Sequence, residues 1–186
     1  YPTDGGSGVD RVEYTVNGGS TQQYDDTFPF DLPITEAGTS IIEATAFDKA
    51  GNESPTRTVT VKIDRTKPVA TATAAPASSG FVKQTVTVTL DATDAGGSDV
   101  ARVEYTTNGE TSQQYDGTPF ELSLDGTYKI VTTAYDDAGN VSDPVELVVK
   151  IDATKPTLTS NQSGANEWQK SATVTLTATD SGSGPP

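Results

Sequence analysis

Thr85-Val86-Thr87-Val88-Thr89-Leu90-Asp91-Ala92 alternates polar and apolar residues over eight consecutive positions. A period of two is that of a β-strand with one buried and one wet face, so Val86, Val88, Leu90 and Ala92 belong to a core and the threonines to solvent. The same alternation returns at Tyr128, Ile130, Thr132 and Ala134, and again at Val145, Leu147, Val149 and Ile151. β-Branched residues recur throughout, as a pleated surface favours. No segment carries a helical period. Turn signals interrupt the runs at Ala95-Gly96-Gly97-Ser98, Asn108-Gly109, Asp116-Gly117, Asp125-Gly126 and Asp137-Ala138-Gly139-Asn140, the punctuation of an all-β chain.

Working outward from this stretch reveals a repeat. Lys62-Ile63-Asp64-Arg65-Thr66-Lys67-Pro68 recurs 88 positions later as Lys150-Ile151-Asp152-Ala153-Thr154-Lys155-Pro156, and Phe47-Asp48-Lys49-Ala50-Gly51-Asn52 recurs as Tyr135-Asp136-Asp137-Ala138-Gly139-Asn140. Upstream, Arg11-Val12-Glu13-Tyr14-Thr15 and Gln22-Gln23-Tyr24-Asp25 match Arg102-Val103-Glu104-Tyr105-Thr106 and Gln113-Gln114-Tyr115-Asp116 at a shift of 91, the difference falling in turns. A third, partial copy begins near the end, where Thr173-Val174-Thr175-Leu176-Thr177-Ala178-Thr179-Asp180 repeats the run from Thr87 to Asp94. A repeat of this length with about seven short antiparallel strands reads as an immunoglobulin-like β-sandwich. The expected organisation is tandem: residues 1–67 form a first copy lacking its two opening strands, 68–155 a complete copy, and 156–186 the opening strands of a third. Lys-Pro at 67–68 and 155–156 marks the joints, where proline lacks a ladder donor and stiffens the connection. Linkers this short predict an extended rod with restricted hinging.

Composition removes several chemistries. The chain has 186 residues, 26 acids against 12 bases for a net charge of −14, and no cysteine, histidine or methionine. Thiol and imidazole catalysis, a Ser-His-Asp triad, a zinc site built on nitrogen or sulfur, and disulfides are thereby excluded. Without an initiating methionine, the chain is expected to be an internal segment of a longer protein. Its acidity makes nucleic acid and anionic membranes poor partners, because polyanion binding depends on clustered Lys and Arg. No apolar run is long enough for a membrane-spanning helix.

Ser7-Gly8-Val9-x-x-Val12-Glu13-Tyr14, the Asp-x-Ala-Gly-Asn loops and the Ile-Asp-x-Thr-x-Pro joints at 63–68 and 151–156 resemble the bacterial immunoglobulin-like or fibronectin type III-like repeats of large secreted surface proteins, adhesins and polysaccharide-degrading enzymes. The resemblance covers essentially the whole chain. It implies a non-catalytic spacer or stalk in a secreted or cell-surface protein, and some relatives are adhesive or bind calcium at domain joints. One departure is Ser98-Asp99-Val100, where the other copies have Ser-Gly.

Candidate site residues have a structural and a functional reading. In the Asp-x-Ala-Gly-Asn loops, Asp48 and Asp136 precede Asn52 and Asn140 by four residues. The structural reading makes each Asp the cap of its own turn. The functional reading makes Asp48, Asn52, Asp136 and Asn140, with Asp64 and Asp152 at the joints and Asp94 and Asp180 in the Gly-rich loops, oxygen ligands for Ca²⁺, although no contiguous calcium loop is present. No other cofactor is implied. Paired acids could serve glycosidase chemistry, but these recur in each copy on turns and wet faces, so solvated charge explains them better and no enzyme is expected.

Tyr14, Tyr24, Phe30, Tyr105, Tyr115, Phe120 and Trp168 could form a sugar-stacking platform. The positions repeated in both copies fit an aromatic core, and Trp168 is expected to close one end of its own sandwich. An adhesive or carbohydrate-binding module, with a polysaccharide or surface ligand, is the alternative function. Asn52-Glu53-Ser54, Asn140-Val141-Ser142 and Asn161-Gln162-Ser163 match the glycosylation pattern but are read as turns.

Residues 3–68 and 156–178 together supply the length of one repeat. Excision of a window from a longer array accounts for this. The alternative is head-to-tail self-association, in which strands near 157–160 and 171–180 of one chain complete the partial sandwich of the next.

Overall fold

The structure, a computed structural model, describes residues 6–24, 28–161, 168 and 170–181. Thr3-Asp4, Asp25, Pro185-Pro186 and the Gln162-Ser163 part of the third glycosylation pattern lie outside the described residues. The described chain is all-β. It divides into two compact units, Tyr1–Thr66 with Gly96–Ser98, and Lys67–Ala95 with Asp99–Pro186.

Among the described residues the first unit is built on a four-stranded antiparallel sheet of β1 (Val9–Val16), β2 (Gln22–Tyr24), β3 (Gly38–Asp48) and β4 (Arg57–Ile63), in the order β2-β1-β3-β4. Asn17-Gly18 turns the chain after β1 with both residues at positive φ, 52° and 66°, the type I′ geometry for which this dipeptide is suited. The Asn17 side chain also extends the sheet, its Oδ1 accepting the Ile41 N–H at 2.8 Å while the Asn17 N–H donates to the Ile41 carbonyl. Val12 and Ile42 are buried at the centre of the sheet.

The second unit contains a complete sandwich. One layer holds β5 (Val69–Ala75), β7 (Val86–Thr93) and β10 (Phe120–Leu122) in the order β10-β7-β5, with β6 (Phe81–Val82) in the other layer. That layer also has β8 (Val100–Thr107), β9 (Gln113–Tyr115), β11 (Gly126–Asp136) and β12 (Val145–Ile151), in the order β6-β12-β11-β8-β9. Val86, Val88 and Leu90 from one layer pack with Ile130, Val149 and Ile151 from the other, so the alternating stretch provides one face of the core. Each such side chain, moved from water to a full interior, contributes about 1.5–3 kcal/mol. β6 is an exception to the antiparallel expectation, since it pairs parallel with β12, Phe81 opposite Lys150 and Val82 opposite Ile151. The hairpin of β13 (Thr157–Ser160) and β14 (Leu176–Thr179) forms its own two-stranded sheet and groups with this unit.

The sequence repeat is also a topological one. Order β2-β1-β3-β4 in the first unit equals β9-β8-β11-β12 in the second. The opening strands of β1 and β8 even share a register irregularity, between Val9 and Arg11 on β1 and where Val100 meets Asp136 on β8.

Candidate functional site

Asp48 ends β3 and Asp136 ends β11, each at the mouth of a tight loop. Asp48 Oδ1 accepts the Ala50 and Asn52 N–H groups at 2.9 and 2.7 Å, and its Oδ2 accepts Asn52 Nδ2 at 2.6 Å. Asp136 repeats the pattern, taking the Asn140 N–H at 2.7 Å and Asn140 Nδ2 at 2.8 Å. Gly51 and Gly139 occupy φ of 89° and 90°, a conformation open to glycine at no steric cost. The asparagine amides therefore face the carboxylates as donors, and each loop closes on itself. These bonds, that from the Asn52 side chain first and that from its backbone next, hold the Asp48 carboxyl below the ordinary carboxylate range.

The remaining predicted ligands sit at strand ends. Asp64 follows β4 and is half-buried; its carboxylate accepts the Ser98 hydroxyl and N–H and, at 2.8 Å, the Thr66 N–H. The Ser98 hydroxyl is the main cause of its lowered pKa, with the Thr66 N–H second. Gly96 lies so near that a Cβ there would fall 2.1 Å from Asp64 Oδ1. Asp94 is half-buried just beyond β7. Asp152 and Asp180 line one groove with Phe81, Lys83, Thr154 and Pro156, and Asp152 accepts the Thr154 N–H at 3.1 Å. Carboxylate oxygens are the ligand chemistry Ca²⁺ takes. The two Asp/Asn loop pairs, by contrast, present donor to acceptor and do not converge as two oxygen ligands.

Aromatic residues pack on one another. Tyr24 stacks on Phe30 with centroids 4.1 Å apart, and Tyr14 lies 5.9 Å from the same ring. In the second unit Tyr105 stacks on Phe120 at 5.0 Å and meets Tyr115 edge-on at 6.4 Å. All six are half-buried. Trp168 differs from expectation: it is fully exposed. The third copy has no second layer among the described residues, so there is no sandwich end for the indole to close.

Three structural roles escaped sequence reading. Ser142 is buried, and its Oγ accepts the Ala134 N–H at 2.9 Å, as Ser54 Oγ does for Ala46; the glycosylation-like Asn-x-Ser spacing was the available signal. Asp125 accepts the Ala153 N–H at 2.7 Å and the Thr154 hydroxyl, bonds which lower its pKa in that order. Arg11 and Arg102 lie over the Phe47 and Tyr135 rings at 4.0 and 3.7 Å while pairing with Glu13 and Glu104 at 2.8 and 2.7 Å. Arg-Val-Glu and the aromatic before the loop Asp are thus joined across two paired strands, Arg11 opposite Phe47 and Arg102 opposite Tyr135, a cation–π contact that only the register reveals.

No family model matches this sequence, and neither does any curated protein. Among solved structures, the fibronectin(III)-like modules of CbhA from Clostridium thermocellum are similar over 81% of this chain and 82% of theirs, with 24% identity and a TM-score of 0.42.

Proposed function

We propose that the chain is a non-catalytic structural segment, a spacer or stalk within a larger secreted or cell-surface bacterial protein. The observation that carries this reading is how the residues common to both copies are used. Asp48 and Asp136 cap turns, Ser54 and Ser142 hold strand amides, Arg11 and Arg102 clamp aromatics, and the Tyr/Phe groups stack on one another. A catalytic or sugar-binding module would direct some shared side chains at a ligand; here the shared set serves the fold.

The test is to assay the purified chain for binding to, and hydrolysis of, a panel of soluble and insoluble polysaccharides. Neither is expected. Saturable binding lost on Trp168→Ala would establish the carbohydrate-binding alternative instead. Calorimetric unfolding in chelator and in millimolar Ca²⁺ addresses the acids, because a ligand of the folded state raises Tm. Loop carboxylates that act only as caps give coincident transitions; a rise with Ca²⁺ would make the acids ligands and the stalk one stiffened by calcium.

A further inference from the structure

Two carboxylates meet where the chain leaves the complete sandwich. Gly126, the first residue of β11, faces Ile151, the last of β12, so Asp125 stands across from Asp152 one residue beyond the ladder. Like charges set opposite one another on neighbouring strands are destabilising, and donors from the departing chain lie between these two. Asp125 Oδ1 accepts the Ala153 N–H at 2.7 Å, and its Oδ2 accepts the Thr154 hydroxyl. Asp152 Oδ1 accepts the Thr154 N–H at 3.1 Å, while the Asp152 N–H donates to the Val82 carbonyl of β6 at 2.9 Å. Thr154 is therefore shared, its N–H on one carboxylate and its O–H on the other. Every backbone N–H from Asp152 to Thr154 is engaged, although Ala153 and Thr154 are exposed.

The joint motif does not supply this hold by itself. Ile63-Asp64-Arg65-Thr66 has the pattern of Ile151-Asp152-Ala153-Thr154, and Asp64 Oδ1 takes the Thr66 N–H at 2.8 Å as Asp152 takes that of Thr154. Gly38 faces Ile63 as Gly126 faces Ile151, which puts Ala37 at the position of Asp125. An alanine side chain has no acceptor to offer the Arg65 N–H. The Asp-x-Thr turn is thus common to both copies, and the grip from across the ladder belongs to the second.

We propose that Asp125 is a positioning residue for the joint: by holding Ala153 and Thr154 it fixes the direction in which the chain leaves β12 and makes residues 152–155 a rigid continuation of the sandwich. A loose segment samples several backbone wells per residue, and anchors on consecutive residues remove that choice. Between Thr154 and the start of β13 at Thr157 stand only Lys155 and Pro156. Proline fixes its own φ and keeps the residue before it extended, so few soft torsions remain after the grip. The proposal stands apart from the spacer reading, since polysaccharide binding by the chain would leave this grip intact.

Amide hydrogen exchange and heteronuclear ¹⁵N NOEs on the 186-residue chain test it. Relative to unstructured rates, the wild-type Ala153 amide should be roughly ten-fold better protected than that of Arg65, as a hydrogen bond to a charged acceptor implies. The NOEs of Ala153, Thr154 and Lys155 should match those of β12. Asp125→Ala should abolish the difference in protection and lower these NOEs, with Ile130 and Val149 unchanged, whereas Asp125→Asn, which keeps an acceptor for Ala153, should preserve the protection. A wild-type Ala153 amide that exchanges as readily as that of Arg65 would overturn the proposal, whether or not any variant folds. Unchanged NOEs at 153–155 in Asp125→Ala with an intact core would overturn it as well, because the Asp-x-Thr turn and the proline would then set the direction without Asp125.

Discussion

Ser142 and Ser54 make the same bond in different surroundings. Ser142 and Ala134 are buried, whereas Ser54 is exposed. Ser142→Ala leaves the Ala134 N–H without an acceptor in the interior and is expected to cost about 1–3 kcal/mol. Water can replace the hydroxyl beside Ala46, so Ser54→Ala should stay within about 0.5 kcal/mol, the range for surface changes. Urea unfolding of the two variants measures this difference, and equal costs would mean that burial is not what distinguishes them. The Asp-x-Ala-Gly-Asn caps were legible because their spacing is itself the hydrogen-bond geometry. Ser142 was not, because a serine two places after an asparagine is read from sequence as a sequon or a turn; its role depends on which strand lies opposite. Asp99 shows the converse. It stands where the first copy has Gly8 and adopts the same left-handed region, φ 65° against 83°, so the Ser-Gly departure changes the residue and keeps the conformation. The carbonyls of both then accept from the following loop, from Asp137 and Lys49.

Strands β3 and β11 have eleven residues each and pair on both sides with equivalent neighbours, yet they differ in what lies over them. Amides open locally at a free energy set by the surrounding packing. Hydrogen exchange at micromolar concentration should therefore be markedly slower at Ile130, Thr132 and Ala134 than at Ile42, Ala44 and Ala46. Equal protection would show that the ladder, and not the second layer, governs opening. The sequence made the strands legible because a period of two survives whether or not a face is covered. Val59 and Leu147 look alike for that reason, and only the structure shows that Val59 is exposed, with no strand layer over it among the described residues, whereas Leu147 is half-buried. Trp168 obeys the same rule: closing a sandwich requires a layer that its own copy does not supply among the described residues, and the indole is exposed. The parallel pairing of β6 was illegible too, since two residues, Phe81 and Val82, are too few to show any period.

Across the whole molecule, two charge effects act in opposite directions as pH falls. Asp48, Asp64, Glu104 and Asp125 have lowered pKa values because each accepts hydrogen bonds that favour its charged form. The unfolded chain returns them to ordinary values of 3.8 for Asp and 4.5 for Glu, so in acid it binds more protons than the folded chain. The stability these groups provide is therefore complete above their unfolded pKa values and is lost as pH falls through the lower folded ones. Protonation also relieves the self-repulsion of a chain with net charge −14, which would favour the compact state. That repulsion is long-ranged and is largely screened beyond about 8 Å at physiological ionic strength, whereas the accepted hydrogen bonds are local and are not. At that salt the local effect should win: the urea midpoint should be level from neutrality to about pH 5 and fall below about pH 4. Asp125→Asn keeps an acceptor for Ala153 while removing the titration, and should flatten this acid limb without moving the neutral plateau by a comparable amount. At low salt and neutral pH, where repulsion is unscreened, the midpoint should rise as salt is added. A midpoint that instead rose from pH 5 to pH 3 at physiological salt would mean that the capped carboxylates contribute less to stability than the net charge takes away.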